Sequence, residues 1–161
     1  MRLVNTKIRK NVALASCCVI ASLSSACSVN VGTVQLRSIT TEEKAMYALI
    51  AAKAAQEVGV PQEEFVRIIA HESGFKPWVR GAAGEYGLGQ IKCATARSVG
   101  FIGNCSELLV AATNLKYSAR YYGIARQKCG TFQGALYLYN AGTGSNCAGR
   151  NEYVRKVSSL Q

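Results

Sequence analysis

Glu72 stands where its pattern makes a negative charge costly. In the segment PQEEFVRIIAHES, Phe65, Ile68, Ile69 and Glu72 fall at i, i+3, i+4 and i+7 and share one helical face. Three of the four are apolar, so the face points inward and Glu72 is expected to be at least partly buried. It also lies at the C-terminal end of that helix, where the macrodipole disfavours an anion by roughly 0.3–1 kcal/mol. Both effects raise the carboxyl pKa, and an acid that stays protonated near neutral pH is what a general acid needs. The alternative is a rim ion pair with Arg67 or Lys76. His71 precedes Glu72, but the zinc-protease pattern H-E-x-x-H fails because position 75 is Phe. His71 lies off the apolar face and reads as a surface or rim histidine. Further along, Gly87-Leu88-Gly89 opens like a dinucleotide fingerprint. Lys92 takes the third glycine position and no strand–helix unit follows, so that reading fails. Glycines here would let an extended ligand lie against the backbone; plain turn chemistry is the alternative. A third cluster, Tyr137-Leu138-Tyr139-Asn140-Ala141-Gly142, ends a helix and enters a loop. Tyr and Asn together suit a sugar ring and its N-acetyl amide; the alternative is a helix end with an aromatic core residue.

What is missing narrows the chemistry. The acidic residues number nine, all Glu, so no mechanism that needs an Asp is open, a Ser-His-Asp triad included. A single His leaves too few ligands for the usual zinc hydrolase site. No cofactor motif is present. The 161 residues suffice for one domain with a modest core.

The N-terminus reads as a targeting segment. Arg2, Lys7, Arg9 and Lys10 precede an uncharged apolar run over 11–26, which is short for a membrane span, and small residues close it at Ser24-Ser25-Ala26. Residues 1–26 are therefore read as a secretory signal, with an uncleaved anchor helix as the alternative. Cys27 follows Leu23-Ser24-Ser25-Ala26, a degenerate lipobox in which Cys27 would be lipidated; ordinary cleavage before Cys27 is the other route. Leu14-Ala15-Ser16-Cys17 is the better lipobox by letters, but too little apolar chain precedes it. Removing four basic residues leaves +6 of the formal +10 charge, which suits an anionic polymer. The charge would also suit nucleic acid. Export and the scatter of Lys and Arg argue against that partner.

Four cysteines remain in the folded part: Cys93, Cys105, Cys129 and Cys147. An even count in an exported chain favours two disulfides. Of the three pairings, neighbour pairing, Cys93–Cys105 with Cys129–Cys147, is expected because short loops close most easily. Zinc is the rival, but no C-x-x-C spacing occurs.

Residues 27–40 read as a linker and 41–161 as the catalytic domain. Thr40 and Glu43 have capping-box spacing and open a helix over 41–58, stopped by Gly59. Pro61 fits the first turn of the next, which Glu63 and Glu64 favour and which runs to Ser73, with Gly74 as its stop. The glycine-rich stretch 74–92 reads as loop with a small hairpin. A helix follows near 94–99. Ser106 caps another, 109–128 forms the longest, and Thr131 caps one through Tyr139. A glycine-rich loop covers 140–150 and a terminal helix 151–158. The pattern is mainly helical, with one glycine-rich excursion.

Glu72-Ser73, Gly87-Leu88-Gly89-Gln90-Ile91 and Tyr139-Asn140-Ala141-Gly142, in this order and spacing, resemble the lytic transglycosylase domain related to goose-type lysozyme. Thr95-Ala96 and Asn114-Leu115 also fall where that family tends to have T-A and N-hydrophobic. The resemblance covers roughly residues 44–157. It implies a mainly α, lysozyme-like α+β fold whose small glycine-rich loop and hairpin line a cleft for peptidoglycan glycan strands. It implies Glu72 as catalytic acid/base, Gln90 and the backbone of Gly87, Leu88 and Gly89 along the cleft, and Tyr139 and Asn140 against N-acetylmuramic acid. Ser73 would support the carboxylate or a substrate peptide. Gly89 replaces the family Met and is expected to remove a side chain from the cleft. Cys93 takes a common Pro position, and Gly81 replaces a frequent Ser, whose contact is not carried over.

That chemistry needs one carboxylic acid. Glu72 protonates the bridging oxygen, then takes the proton of the C6 hydroxyl, closing a 1,6-anhydro ring. A hydrolytic lysozyme on the same fold would need a second carboxylate. Glu85, the other Glu of the glycine-rich stretch, is the candidate; a solvated loop charge is its alternative reading. From a different class, a wall-binding lipoprotein with an idle site would keep its effect without Glu72. The expected location is periplasmic, with the outer membrane reached only through a lipid on Cys27. By family analogy alone, such a small domain opens the wall for a secretion, conjugation or pilus machine.

Overall fold

The computed structural model describes residues 37–160. Helix α1 (Thr41–Glu57) is followed by α2 (Gln62–Ser73), the strands β1 (Glu85–Tyr86) and β2 (Ile91–Lys92), and α3 (Cys93–Ser98). A 3-10 turn (Cys105–Leu109), α4 (Ala111–Cys129), α5 (Phe132–Ala141) and α6 (Glu152–Ser158) complete the chain. No helix among the described residues is long and apolar enough to cross a membrane.

Helix α4 is the spine, with α1 and α5 packed against it. Its Leu115, Ala119, Tyr122 and Ala125 are buried, and Ala51, Ala54 and Ala55 of α1 present a small-residue face that lets the helices approach closely. Phe65 of α2 stacks on Tyr122 with ring centroids 6.0 Å apart. Beside them the Tyr122 hydroxyl donates to Glu64 Oε2 at 2.6 Å and Arg126 Nε to the same oxygen at 2.9 Å. The half-buried carboxylate is thus satisfied by a cation and a hydroxyl.

Local signals set the helix ends. Thr40 and Glu43 form the capping box that the spacing predicts, and Asn151 caps α6 by accepting from Val154 N–H. Asn104, not Ser106, caps the 3-10 turn. Its side chain accepts from Ser106 N–H while Glu107 reaches back to its backbone N–H, and an Asn with a Glu three residues on outcompetes Ser. Pro61 occupies the N-cap of α2 rather than its first turn. Helix α5 runs two residues past Tyr139, so Asn140 belongs to its last turn. Gly74 closes α2 in the left-handed conformation at φ +58, and Phe75 follows at φ +64, which turns the chain sharply away just after Glu72.

The strands pair antiparallel, Glu85 opposite Lys92 and Tyr86 opposite Ile91. Asn114 of α4 fastens this hairpin to the helical body. Its Oδ1 accepts from Gly89 N–H at 2.7 Å, and its Nδ2 donates to the carbonyls of Tyr86 and Leu108, each at 2.7 Å. Ser118 Oγ donates to the same Oδ1 at 3.3 Å, so both oxygen lone pairs and both amide hydrogens of this buried side chain are used.

Candidate active site

Glu72, at the end of α2, opens onto a cleft of about 370 Å³. Glu85, Gln90 and Lys92 line it from the hairpin side, and Tyr139 and Asn140 from the end of α5. Phe65, Ile68 and Ile69 are fully buried, so the apolar face leads Glu72 to the edge of the core as its spacing predicts. Burial pushes the Glu72 carboxyl from the ordinary 4.5 up to about 7. The Tyr153 hydroxyl, donating to Glu72 Oε1 at 2.7 Å, opposes that rise, and the negative charge of Glu85 reinforces it. No cation pairs with Glu72 among the described residues, so the rim pair with Arg67 or Lys76 does not form.

These opposing effects are separable. Tyr153→Phe removes the bond that favours the carboxylate, and Glu72 is then expected to titrate above about 7. Glu85→Gln removes the neighbouring charge, and Glu72 is expected to titrate lower. Carboxyl-carbon NMR titration reads both shifts. A titration unmoved in both variants would mean that burial alone sets the value.

Ser73 does not support the carboxylate. It is buried, and its Oγ donates to Ile69 O on its own helix at 3.3 Å. One residue along a helix is about 100° of rotation, which carries Ser73 off the face of Glu72. His71 sits at the rim, its ring edge-on to Tyr153 at 5.1 Å, and burial followed by the Lys156 charge holds its pKa below the usual value.

Gly87, Leu88 and Gly89 are buried behind the cleft and none of their side positions lines it; Leu88 belongs to the core. Gly87 has φ +63, and a Cβ there would come within 2.7 Å of Asn114 Nδ2 and Leu108 O. A Cβ on Gly89 would come within 2.7 Å of Ser118 Cβ and 3.0 Å of the Tyr139 hydroxyl. The position therefore points into the body, and glycine here clears space for Ser118 and Tyr139 instead of opening a subsite. Gly89 is held from both sides, its N–H by Asn114 and its carbonyl by the Tyr139 hydroxyl at 2.7 Å. Gln90 comes next with φ +46, an uncommon conformation for a residue with a Cβ. Its Nε2 donates to Gly87 O at 2.8 Å and Val79 O at 3.3 Å, which fixes it there at the cleft wall.

The Tyr139 ring borders the cleft, but its hydroxyl is committed to Gly89. Asn140 is exposed and its Oδ1 accepts from Asn151 Nδ2 at 2.9 Å. Glu85 shares the cleft with Glu72; its Oε2 accepts from Ala83 N–H at 3.1 Å and its Oε1 lies 3.5 Å from Lys92 Nζ. Cys93–Cys105 and Cys129–Cys147 are both bonded, with Cα separations of 5.5 and 5.4 Å. The first staples the chain directly after Lys92, and the second staples the loop that follows Gly142. Among the described residues no three His, Cys, Asp or Glu side chains converge to hold a metal. Residues 1–26, which the sequence reads as a secretory signal, and Cys27 lie outside the described residues.

Tyr153, the hydrogen-bond partner of Glu72, has no signal in local spacing, since it lies 81 residues along the chain. Lys92 had one: strand alternation with the buried Ile91 puts it on the open face.

The mainly helical body with its small hairpin beside the cleft is of the lysozyme-like class. The chain belongs to the transglycosylase SLT domain family, whose model matches residues 49–158. It is similar to the 70 kDa soluble lytic transglycosylase Slt70 from Escherichia coli, with 26% identity and a TM-score of 0.56 over 61% of this chain and 17% of that one. The fold is also shared with an inactive mutant of the lytic transglycosylase Slt from Pseudomonas aeruginosa, at 24% identity and a TM-score of 0.56 over 60% of this chain and 17% of that one. The chain thus spans only a small part of these relatives' length. No curated protein sequence matches it.

Proposed function

We propose that this domain is a peptidoglycan lytic transglycosylase with Glu72 as its general acid and base. The observation that carries the reading is the Glu72 carboxyl, raised to about 7 by burial beside a cleft of about 370 Å³ lined mostly by polar side chains. Near neutral pH a large fraction of it holds a proton to give to the bridging oxygen of the bond between N-acetylmuramic acid and N-acetylglucosamine. The N-acetyl group assists at the anomeric carbon. The carboxylate left behind is steadied by the Tyr153 hydroxyl and then takes the C6 hydroxyl proton as the 1,6-anhydro ring closes. Tyr139 acts through Gly89 as a positioning residue, and Asn140 is the polar contact offered to the sugar. We place the domain outside the cytoplasm, where its two disulfides persist and its basic surface meets the wall polymer.

The test is digestion of purified peptidoglycan by the oxidised domain, with products read by mass spectrometry. Products lighter by one water than hydrolysis products are expected. Reducing-end products would replace this reading by a hydrolytic lysozyme, which the placement of Glu85 in the same cleft favours as the second carboxylate. A folded domain that yields no products overturns both.

A further inference from the structure

We propose that the loop bearing Ile102 seats the domain on an anionic lipid surface, with Ile102 entering the apolar layer and Lys116 and Arg120 meeting the headgroups. Ile102 is 97% exposed. A lone exposed isoleucine is ordinary, but this one is held outward by its surroundings. Its neighbour Phe101 is buried, with its ring edge-on to Tyr117 at 5.1 Å. Gly100, at φ +96, turns the chain just before this pair. A Cβ on Gly103 would come within 2.8 Å of the Phe101 ring, so the chain passes closely against it on the way back. The Cys93–Cys105 disulfide closes the segment just beyond. Phe101 is thus pinned inside, and Ile102 forms an apolar tip in solvent.

Cations flank that tip. Helix α4 carries Lys116, Arg120, Arg126 and Lys128 and no acidic residue. Arg126 is paired with Glu64, and Lys128 donates to the carbonyls of Thr143 and Ser145. Lys116 and Arg120 are exposed and make no ion pair among the described residues. Their charged ends lie 5.5 and 5.4 Å from the centre of the Tyr117 ring. Arg120 Nη1 also donates to Val99 O at 3.4 Å, at the base of the loop. Glu107 is the one acidic residue lining the groove between this loop and α4, and its Oε1 already accepts from Asn104 N–H at 2.8 Å.

This combination fits a bilayer better than a protein. A stable protein interface buries about 800 Å² on each side around matched pockets. Here the apolar surface is one protruding side chain beside a tyrosine. A fluid lipid layer needs no matched pocket and brings phosphates to the two cations, while an amphipathic ring such as Tyr117 suits the headgroup level. None of the residues lining this groove lines the cleft beside Glu72, and the inference stands apart from the peptidoglycan reading.

Arg37–Gln161 packs as one unit with its own core, so it is tested alone, which keeps the apolar run over 11–26 out of the readout. The oxidised domain is sedimented with vesicles of phosphatidylethanolamine and phosphatidylglycerol, and with vesicles of phosphatidylcholine. The wild type is expected to favour the anionic vesicles by about tenfold, a preference that roughly 0.5 M salt removes. Ile102→Ser is expected to weaken that binding about tenfold and Ile102→Leu to keep it. Lys116→Gln is expected to weaken it about fivefold on anionic vesicles only. In an Ile102→Trp variant, brominated acyl chains should quench the added fluorescence beyond the Trp78 background of the wild type. Binding that ignores Ile102→Ser, or no binding to either vesicle, overturns the proposal. A wild type that leaves vesicles alone and self-associates, with Ile102→Ser monomeric, assigns the face to a second copy and overturns it too.

Discussion

Glu72→Gln is expected to abolish glycan cleavage and at the same time stabilise the fold at alkaline pH. The loss should be about 10²–10⁴-fold, the usual contribution of a positioned acid/base. The gain follows from proton linkage. The carboxyl titrates at about 7 in the folded chain against 4.5 when free. Between those values the folded state holds more protons than the unfolded one, so stability falls as pH rises through that window. Below the window the group is protonated in both states and costs nothing. Above it the full cost is present, on the order of 3 kcal/mol for a displacement of this size. Glutamine keeps the acceptor that the Tyr153 hydroxyl needs and carries no charge to desolvate. At pH 8 the variant should therefore melt roughly 10 °C above the wild type, and at pH 4 the two should melt together. Thermal unfolding at both pH values checks this. Equal melting temperatures at pH 8 would mean that the carboxylate is better solvated than its surroundings indicate. Activity retained in the variant would remove Glu72 from the chemistry.

The same carboxyl also shows what a sequence of this kind can reveal. Its burial was legible because it is written in four positions of one helix, Phe65, Ile68, Ile69 and Glu72, and helical periodicity is a local property. The two disulfides were legible for a similar reason: each closes a short loop between neighbours, separated by 12 and 18 residues. The glycine-rich segment was legible as a hairpin, but not in its orientation. Whether Gly89 faces the cleft or the body depends on Ser118 and Tyr139, which approach from α4 and α5 and leave no trace in the segment itself. The resemblance gave Ser73 a contact with the carboxylate or with a substrate peptide; the first does not form, because adjacency to Glu72 in sequence is divergence on a helix and the Ser73 hydroxyl bonds Ile69 O. Tyr153 could not be inferred at all, since only the docking of α6 beside α2 brings it to the acid. What sequence reasoning missed lies between elements, where side chains of distant segments compete for the same few bonds.

Asn114 is the residue on which that assembly turns, and Asn114→Ala is expected to be the most destabilising polar truncation in the domain. One amide satisfies the Gly89 N–H and the carbonyls of Tyr86 and Leu108, and these come from the hairpin and the 3-10 turn, not from α4. Alanine leaves those three backbone groups without this partner, two of them in buried bonds and the Tyr86 carbonyl in a part-buried one. At about 1–3 kcal/mol for each buried group left unsatisfied, the total is on the order of 4 kcal/mol once some relaxation is allowed. Asn114→Asp tests the direction of the bonds. It preserves an acceptor for Gly89 N–H but turns oxygen toward two carbonyls, so it should be no better tolerated than alanine despite its near-identical shape. Denaturant unfolding of both variants gives the comparison through the midpoint at unchanged slope. The functional consequence follows from the chain order. Gly89 leads directly to Gln90, whose φ of +46 persists only while its neighbours hold it, and Gln90 forms the wall facing Glu72. Asn114 variants that still fold in the cold should therefore lose glycan cleavage while Glu72 keeps its raised pKa. A small stability change in both variants would mean that the hairpin is anchored by its own strands, and two residue pairs are a short anchor for a cleft wall.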